Sequence, residues 1–371
     1  MALKDVIGQE RPVHILKGCI AKERIPHALL FTGDEGIGKR LTAIHFAKAL
    51  NCNRVMGHES GDEVQDLFQD FLPKPPGPGP DAPIDSCDTC PSCTKIDKLF
   101  NPDALISPDE DEKALKEKIY WGHPDVALVL PYKEMIRIDV IRKLEESLSY
   151  KPFEGSYKIA IVDDAERMNS EAANAFLDTL EAPPEHSIII LISARPDLLL
   201  PTIRSRCQRI SFSPLPVETM GGLLKEKFGD MDDEQARLLS VLSGGRLGYA
   251  LGDNLINQRE QCFSIFRQML ESLEEEPWED KETMEAWFEW AQLLLRDIAV
   301  YSATGQEDFL MNTDRADYIK DLSREAGLGD ILKLARELYN IKRRLAFNLN
   351  KQLTYNLVSL LLRDNLGQSG R

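Results

Sequence analysis

Short apolar runs alternate along the first part of the chain with segments in which apolar residues recur at a helical period. Runs of this kind, bounded by turn residues, are typical of strands buried on both faces. The alternation predicts an α/β fold with a parallel sheet covered by helices on both faces. The predicted strands are Ala28–Phe31, Val126–Leu130, Lys158–Val162 and Ser187–Ile192, with a shorter one at Ile210–Phe212.

From Pro214 onward the hydrophobic pattern is helical and predicts two further domains. We expect a small helical unit at 214–257 and an all-helical domain at 258–371, which leaves 1–213 for the α/β core. The last helix is strongly apolar, and such a helix usually packs inside its own bundle. Assembly with other subunits through that bundle is the more specific interpretation.

The turn after the first predicted strand is rich in glycine and ends in a lysine. Gly33, Gly36, Gly38 and Lys39 have the spacing of a P-loop, in which backbone N–H groups and a helix N-terminus surround a phosphate. A strand before the turn and a helix from about Leu41 support this interpretation. The alternative is a glycine-rich turn that binds nothing.

The residue after the lysine departs from the motif. A P-loop continues with Ser or Thr, which binds Mg²⁺, whereas this chain has Arg40, and a guanidinium has no lone pair for a metal. Asp163 follows a buried strand, at the position where P-loop enzymes have an acid that holds Mg²⁺. In many ATPases the next residue is a glutamate that polarises the attacking water, and here it is Asp164. Ser193 lies just beyond the end of the next strand, at the edge where ligands collect in such sheets. The sequence thus predicts a phosphate-binding loop without its metal ligand, and makes ATP and Mg²⁺ doubtful as cofactors.

The cysteines indicate a metal site. Cys87, Cys90 and Cys93 have C-x₂-C-x₂-C spacing, which suits tight turns around one tetrahedral ion. Cys52 is the candidate for the fourth ligand because it ends the P-loop helix, and His123 is the alternative. Four protein ligands would make a closed, structural zinc site. Free structural cysteines are the other interpretation.

Two stretches interrupt the α/β pattern and are interpreted as insertions, at about 53–86 and 94–120. The first lies within the predicted zinc module, 52–93. It contains the run 73–80, whose prolines exclude helix and central strand and predict a loop. The second contains the acidic segment 108–112, which is most simply a solvated face.

The composition is that of a globular protein, with 43% hydrophobic and 29% charged residues. A net charge of −16 argues against a protein that coats nucleic acid through its overall field, but leaves room for a local basic patch. The sequence shows neither an apolar run long enough to span a membrane nor a signal-peptide core. A cytoplasmic protein without membrane contact is expected.

Six motifs occur together in the order of a known family. They are the P-loop, the three spaced cysteines, Gly-His-Pro-Asp at 122–125, Val-Asp-Asp-Ala-Glu at 162–166, Leu-Glu-Ala-Pro-Pro at 180–184 and Ser-Arg-Cys at 205–207. Together they resemble the AAA+ subunits of bacterial clamp loaders, over nearly the whole chain apart from the two insertions. The resemblance implies an AAA+ core, a small lid domain and a helical collar that joins subunits into a ring. Such rings use ATP at subunit interfaces to place a sliding clamp on primed DNA for DNA polymerase III.

The resemblance also implies roles and partners. In the family the Ser-Arg-Cys motif supplies an arginine finger to the ATP of a neighbouring subunit, so Arg206 would act in trans. On spacing alone Arg206 would be an ordinary surface arginine. The zinc module of the family falls on the four cysteines named above. The expected partners are gamma/tau and delta subunits in a hetero-oligomeric ring, with the sliding clamp and primed DNA contacted in the complex.

Three functions are therefore compared. The first is an assembly subunit of the polymerase holoenzyme that does not hydrolyse ATP, because Arg40 and Asp164 replace residues that motor subunits use. The second is an active clamp-loader ATPase in which Lys39 and Asp163 suffice. The third is a zinc-dependent nucleic-acid-binding module, which accounts for much less of the chain.

Overall fold

The computed structural model describes residues 2–55, 85–106, 115–116, 118–133, 135–229, 231–252, 255–271, 278–345 and 349–366. The chain divides into two compact units, Met1–Pro214 and Leu215–Arg371. The predicted loop 73–80 and the acidic segment 108–112 lie outside the described residues.

A six-stranded sheet forms the centre of the first unit. Its strands are β1 (Ala28–Thr32), β2 (Tyr120–His123), β3 (Val126–Val129), β4 (Lys158–Val162), β5 (Ser187–Ser193) and β6 (Gln208–Ser211). They lie in the order β2-β3-β4-β5-β1-β6, with β2 antiparallel to β3 and the remaining neighbours parallel. The predicted α/β fold with a parallel sheet is confirmed, and the antiparallel edge strand β2 is an addition to it.

Helices cover both faces of this sheet. They are α1 (Glu10–Ala21), α2 (Lys39–Leu50), α3 (Pro91–Asp97), α4 (Ile138–Leu148), α5 (Ser170–Glu181) and the short α6 (Pro201–Arg204). Successive residues of β1 enter different cores, because side chains alternate along a strand. Phe31 packs in one core with Phe46 of α2, and Leu30 packs in the other with Phe176 of α5. Burial on both faces explains why the strands are almost continuously apolar.

Asp125, the last residue of the Gly-His-Pro-Asp motif, anchors the loop that leads into β4. Its buried carboxylate accepts hydrogen bonds from the N–H groups of Phe153 (2.7 Å), Glu154 (2.7 Å) and Gly155 (2.8 Å). Burial opposes ionisation, but these bonds and the ammonium of Lys158 lower the pKa of Asp125 below its usual value. The motif therefore has a structural explanation.

All described elements of the second unit are helical. One hydrophobic core runs through it, from Leu215 to Leu366, with Trp278 and Trp287 packed at 5.5 Å between ring centroids. The α-helices are α7 (Val217–Phe228), α8 (Asp233–Leu242), α9 (Leu247–Gly252), α10 (Leu255–Glu271), α11 (Lys281–Thr304), α12 (Ala316–Glu325), α13 (Leu328–Arg344) and α14 (Lys351–Leu366). The division of this unit into 214–257 and 258–371 stays a prediction. Nowhere in the described residues does a helix combine the length and apolar character that crossing a bilayer needs.

Candidate nucleotide and metal sites

The glycine-rich turn joins the carboxyl end of β1 to the N-terminus of α2, as a P-loop does. Gly33, Gly36 and Gly38 have φ angles of +139°, +75° and +94°, a region that side chains disfavour. A Cβ atom at Gly33 would lie 2.6 Å from Ile37 Cδ1 and 2.7 Å from the Phe212 carbonyl oxygen. Glycine is therefore required at position 33 by packing as well as by φ, which gives this position a structural reason of its own.

Lys39, the first residue of α2, lies over the same turn. Its Nζ donates hydrogen bonds of 2.6 Å to the carbonyl oxygens of Gly33 and Asp34. Burial lowers the pKa of Lys39, and the nearby carboxylates of Asp163 and Glu166 oppose that shift. The lysine thus brings positive charge to the loop and is itself surrounded by acids.

Arg40 and Asp163 form an ion pair. In P-loop enzymes these two positions carry the groups that hold Mg²⁺. The Nη1 atom of Arg40 lies 3.3 Å from Oδ2 of Asp163, and the other carboxylate oxygen accepts the Asp164 N–H at 3.1 Å. Burial raises the pKa of Asp163, while the guanidinium of Arg40 counteracts this. Mg²⁺ requires oxygen ligands and tolerates no competing cation in its coordination shell. The residues present therefore do not fit a P-loop Mg²⁺ ion.

Asp164 is turned toward a second arginine. Its backbone has a φ angle of +47°, and its carboxylate lies 3.5 Å from Nε of Arg167. Burial raises the pKa of Asp164, and the charge of Arg167 opposes that shift. A carboxylate held by a neighbouring arginine is poorly placed to polarise an attacking water.

Glu166, the last residue of the Val-Asp-Asp-Ala-Glu motif, is a further acid at this edge of the sheet, to which the sequence assigned no separate role. Its nearly inaccessible side chain accepts hydrogen bonds from the N–H groups of Ala194 (3.2 Å) and Arg195 (3.1 Å). Ser193, at the end of β5, is fully buried, and its hydroxyl accepts the Arg195 N–H at 3.1 Å. Glu166 and Ser193 thus fix the chain as it leaves β5. Its place in the Val-Asp-Asp-Ala-Glu motif was the sequence signal for Glu166.

The predicted nucleotide residues meet at one edge of the sheet. They follow the carboxyl ends of β1, β4 and β5, which are neighbours in the order β4-β5-β1. Arg206 lies elsewhere on the first unit, after α6. Its Nη1 donates to the Thr202 carbonyl oxygen at 2.9 Å, and its Nη2 pairs with Glu181. The side chain retains 31% exposure, so that the guanidinium is tethered at the surface.

The metal prediction concerns a separate cluster at the far end of α2. The sulfur atoms of Cys52, Cys87, Cys90 and Cys93 all lie within 4.8 Å of one another. Backbone N–H groups point at three of them, with N to Sγ distances of 3.4 to 3.5 Å. All four cysteines lack disulfides. The structure therefore places Cys52 in the cluster as the fourth sulfur.

His123 is committed to other contacts. Its Nδ1 accepts the N–H of Asp125 at 3.0 Å, which assigns the proton to Nε2. That atom lies 3.2 Å from the hydroxyl of Ser92, which donates to the Asn51 carbonyl oxygen at 2.6 Å. Both ring nitrogens are thereby occupied, and His123 serves as a structural neighbour of the cysteine cluster.

The cluster has the chemistry of a closed zinc site. Zinc binds thiolates at about 2.3 Å in a tetrahedron, which matches four sulfurs gathered this closely. A hydrogen bond shared between the two thiols lowers the pKa of Cys52 and raises the pKa of Cys93. Thiolate is the form that binds zinc. The four cysteines are compatible with a structural zinc ion.

Comparison with known proteins agrees with these features. The family model described as "DNA polymerase III, delta subunit" matches residues 8–67 and 79–216, which is more than half of the chain. A second model, for the C terminal part of that subunit, matches residues 254–363. The delta-prime subunit of Bacillus subtilis strain 168 is 25% identical over 369 residues, 96% of each chain. The chain belongs to the DNA polymerase III delta-prime family. It is a subunit of the clamp loader, with an α/β core followed by a helical C-terminal region.

Two further relatives of this delta-prime chain are another delta-prime subunit and a gamma/tau subunit of DNA polymerase III. The delta-prime subunit of Pseudomonas aeruginosa is 27% identical over 346 residues, 91% of this chain and 90% of that protein. The gamma/tau subunit of Mycobacterium tuberculosis H37Rv is 31% identical over 244 residues. That match covers 65% of this chain but 34% of the gamma/tau protein, so the chain spans about a third of its length.

Proposed function

We propose that this delta-prime subunit assembles into the clamp loader without hydrolysing ATP, and that it supplies Arg206 to the ATP site of a neighbouring subunit. The ion pair between Arg40 and Asp163 carries the first half of this proposal. The chain keeps the loop and lysine that surround phosphate, but it replaces the metal ligand by a cation. The loop then serves as a rigid part of the core.

Hydrolysis needs two groups beyond the loop, and neither is suitably placed. The carboxylate of Asp163 is paired with the guanidinium of Arg40 at 3.3 Å, so it is not free to bind Mg²⁺. Asp164 is held by Arg167. Phosphoryl transfer depends almost entirely on placing the metal and the nucleophile. A chain that lacks both arrangements is an inefficient ATPase even where a nucleotide binds.

Arg206 is anchored to the core through its backbone. The N–H of Arg206 donates to the carbonyl oxygen of the fully buried Ile203 at 3.1 Å, which fixes its backbone to the core. The guanidinium remains partly exposed beyond this anchor. A rigid base with an accessible planar cation is what an arginine finger requires.

The proposed partners are other clamp-loader subunits, and the proposed metal is zinc. This chain would join gamma/tau and delta subunits in a ring, which would act on the sliding clamp and primed DNA. The similarity of its core to gamma/tau proteins supports a shared assembly. Zinc bound by the four cysteines would hold the module around them and would take no part in ATP chemistry.

One observation favours the alternative function, an active ATPase, because Lys39 and Asp163 are both retained. The variant Lys39→Ala distinguishes an active ATPase from an assembly subunit that does not hydrolyse ATP. In a complex reconstituted with gamma/tau and delta subunits, the steady-state ATPase rate should stay unchanged, because hydrolysis occurs on other subunits. The control is Lys22→Ala, which alters an exposed lysine. A fall in rate with Lys39→Ala alone, in a complex of normal composition, would identify this chain as a motor.

A further inference from the structure

Lys48 on α2 is a fully buried lysine, with no accessible side-chain surface. Its Nζ lies 2.7 Å from Oδ1 of Asp88 and 2.6 Å from Oδ1 of Asp97. Lysine is among the residues least often buried, and burial of an ammonium is tolerated when carboxylates pair with it. Burial opposes the charged form, but the hydrogen bonds that Lys48 donates to these two carboxylates raise its pKa, so the side chain is charged.

The two acids belong to the segments that carry the cysteines. Asp88 lies in the loop between Cys87 and Cys90, where its φ angle of +60° marks a strained turn, and the Ser86 hydroxyl donates to its Oδ1 at 2.9 Å. Asp97 is the last residue of α3. The N-terminal half of that helix carries Cys93.

Lys48 itself is four residues before the remaining cysteine. Helix α2 ends at Leu50, and Cys52 follows directly after the cap. One ammonium therefore connects the end of α2, the loop of Cys87 and Cys90, and the helix of Cys93. We propose that Lys48 is the positioning residue of this metal site, which holds the three sulfur-bearing segments at the spacing of a tetrahedral ion.

The electrostatics of the site support this role. Four thiolates leave a net negative charge even with Zn²⁺ bound, and Asp88 and Asp97 add to it. Both carboxylates approach the same nitrogen atom, so they lie close to one another. Without the ammonium they would repel each other and drive the loop away from α3. Mutation of residues that position metal ligands without binding the metal typically lowers metal affinity by about 10- to 100-fold.

The test is the zinc affinity of the purified full chain, measured by competition with a chromophoric chelator. Lys48→Met keeps the length of the side chain and removes its charge, and it should weaken Zn²⁺ binding by about 10- to 100-fold. Lys48→Arg should restore most of the affinity, because the charge remains. Phe46→Leu is the matched control, since Phe46 lies on the same helix and packs against the sheet. That control should lower stability and leave zinc affinity unchanged.

Wild-type zinc affinity in Lys48→Met would overturn the proposal. An equal loss in Phe46→Leu would also overturn it, because the effect would then reflect general stability. If Lys48→Met does not fold, Asp88→Asn provides the same comparison from the loop side, and wild-type affinity in that variant would be equally decisive. This test does not depend on ATP hydrolysis, so its outcome is independent of the proposed role in the clamp loader.

Discussion

Replacing Arg206 by Ala should slow ATP hydrolysis at the neighbouring site by about 10³- to 10⁵-fold, the range associated with loss of an arginine finger. The physical reason is the charge that develops on the transferred phosphoryl group, which a planar guanidinium stabilises through two parallel hydrogen bonds. In the free chain this guanidinium pairs with Glu181 at the surface. An exposed pair of this kind contributes only about 0–1 kcal/mol, so phosphate can replace Glu181.

The measurement is single-turnover ATP hydrolysis in a complex reconstituted with gamma/tau and delta subunits. Arg206→Lys should recover only part of the rate, because an ammonium keeps the charge but cannot donate the two parallel hydrogen bonds of a planar guanidinium. Arg204→Ala is the matched control, since it removes a nearby arginine that pairs with the exposed Asp197. Full activity in a correctly assembled Arg206→Ala complex would refute the role in trans.

Removal of zinc should have the second large effect, on the stability of the first unit. A ligand present at a thousand times its dissociation constant stabilises the folded state by about 4 kcal/mol. For a unit of this size, each kcal/mol shifts the melting temperature by about 2–4 °C. Chelation, or the variant Cys93→Ser, should therefore lower melting by about 8–16 °C. The four cysteines lie after α2, in the loop before α3 and in α3 itself, so loss of the ion would release these segments.

The control for this prediction is Cys19→Ser, because Cys19 is a free cysteine outside the cluster. It should leave both the zinc content and the melting curve near those of the wild type. Calorimetry, with zinc content measured on the same samples, distinguishes the variants. A fully metallated wild-type protein that melts at the same temperature after chelation would show that the cluster has no stabilising role.

Much of the fold could be predicted from the sequence because the central strands are buried on both faces. That burial makes each strand a continuous apolar run, which is visible without knowledge of its neighbours. β2 escaped prediction because its Tyr-Trp-Gly-His sequence shows neither an apolar run nor a clear alternation.

The candidate sites were predictable where their residues are close in sequence. The glycines of the loop and the three spaced cysteines define their own geometry. The loss of a metal ligand at Arg40 was visible in the motif, but its pairing with Asp163 joins residues 123 positions apart and depends on the fold. The positions of Glu166 and Lys48 were likewise hidden, because their partners are supplied by other segments of the chain.

The central claim is that this subunit does not use ATP with Mg²⁺ as a motor does. The most direct measurement is equilibrium binding of ATP to the purified chain with and without Mg²⁺, with hydrolysis followed in the same samples. The pairing of Arg40 with Asp163 predicts no turnover, and binding that is absent or indifferent to Mg²⁺. Tight binding that requires Mg²⁺ and leads to turnover would contradict the account and make this chain itself a motor.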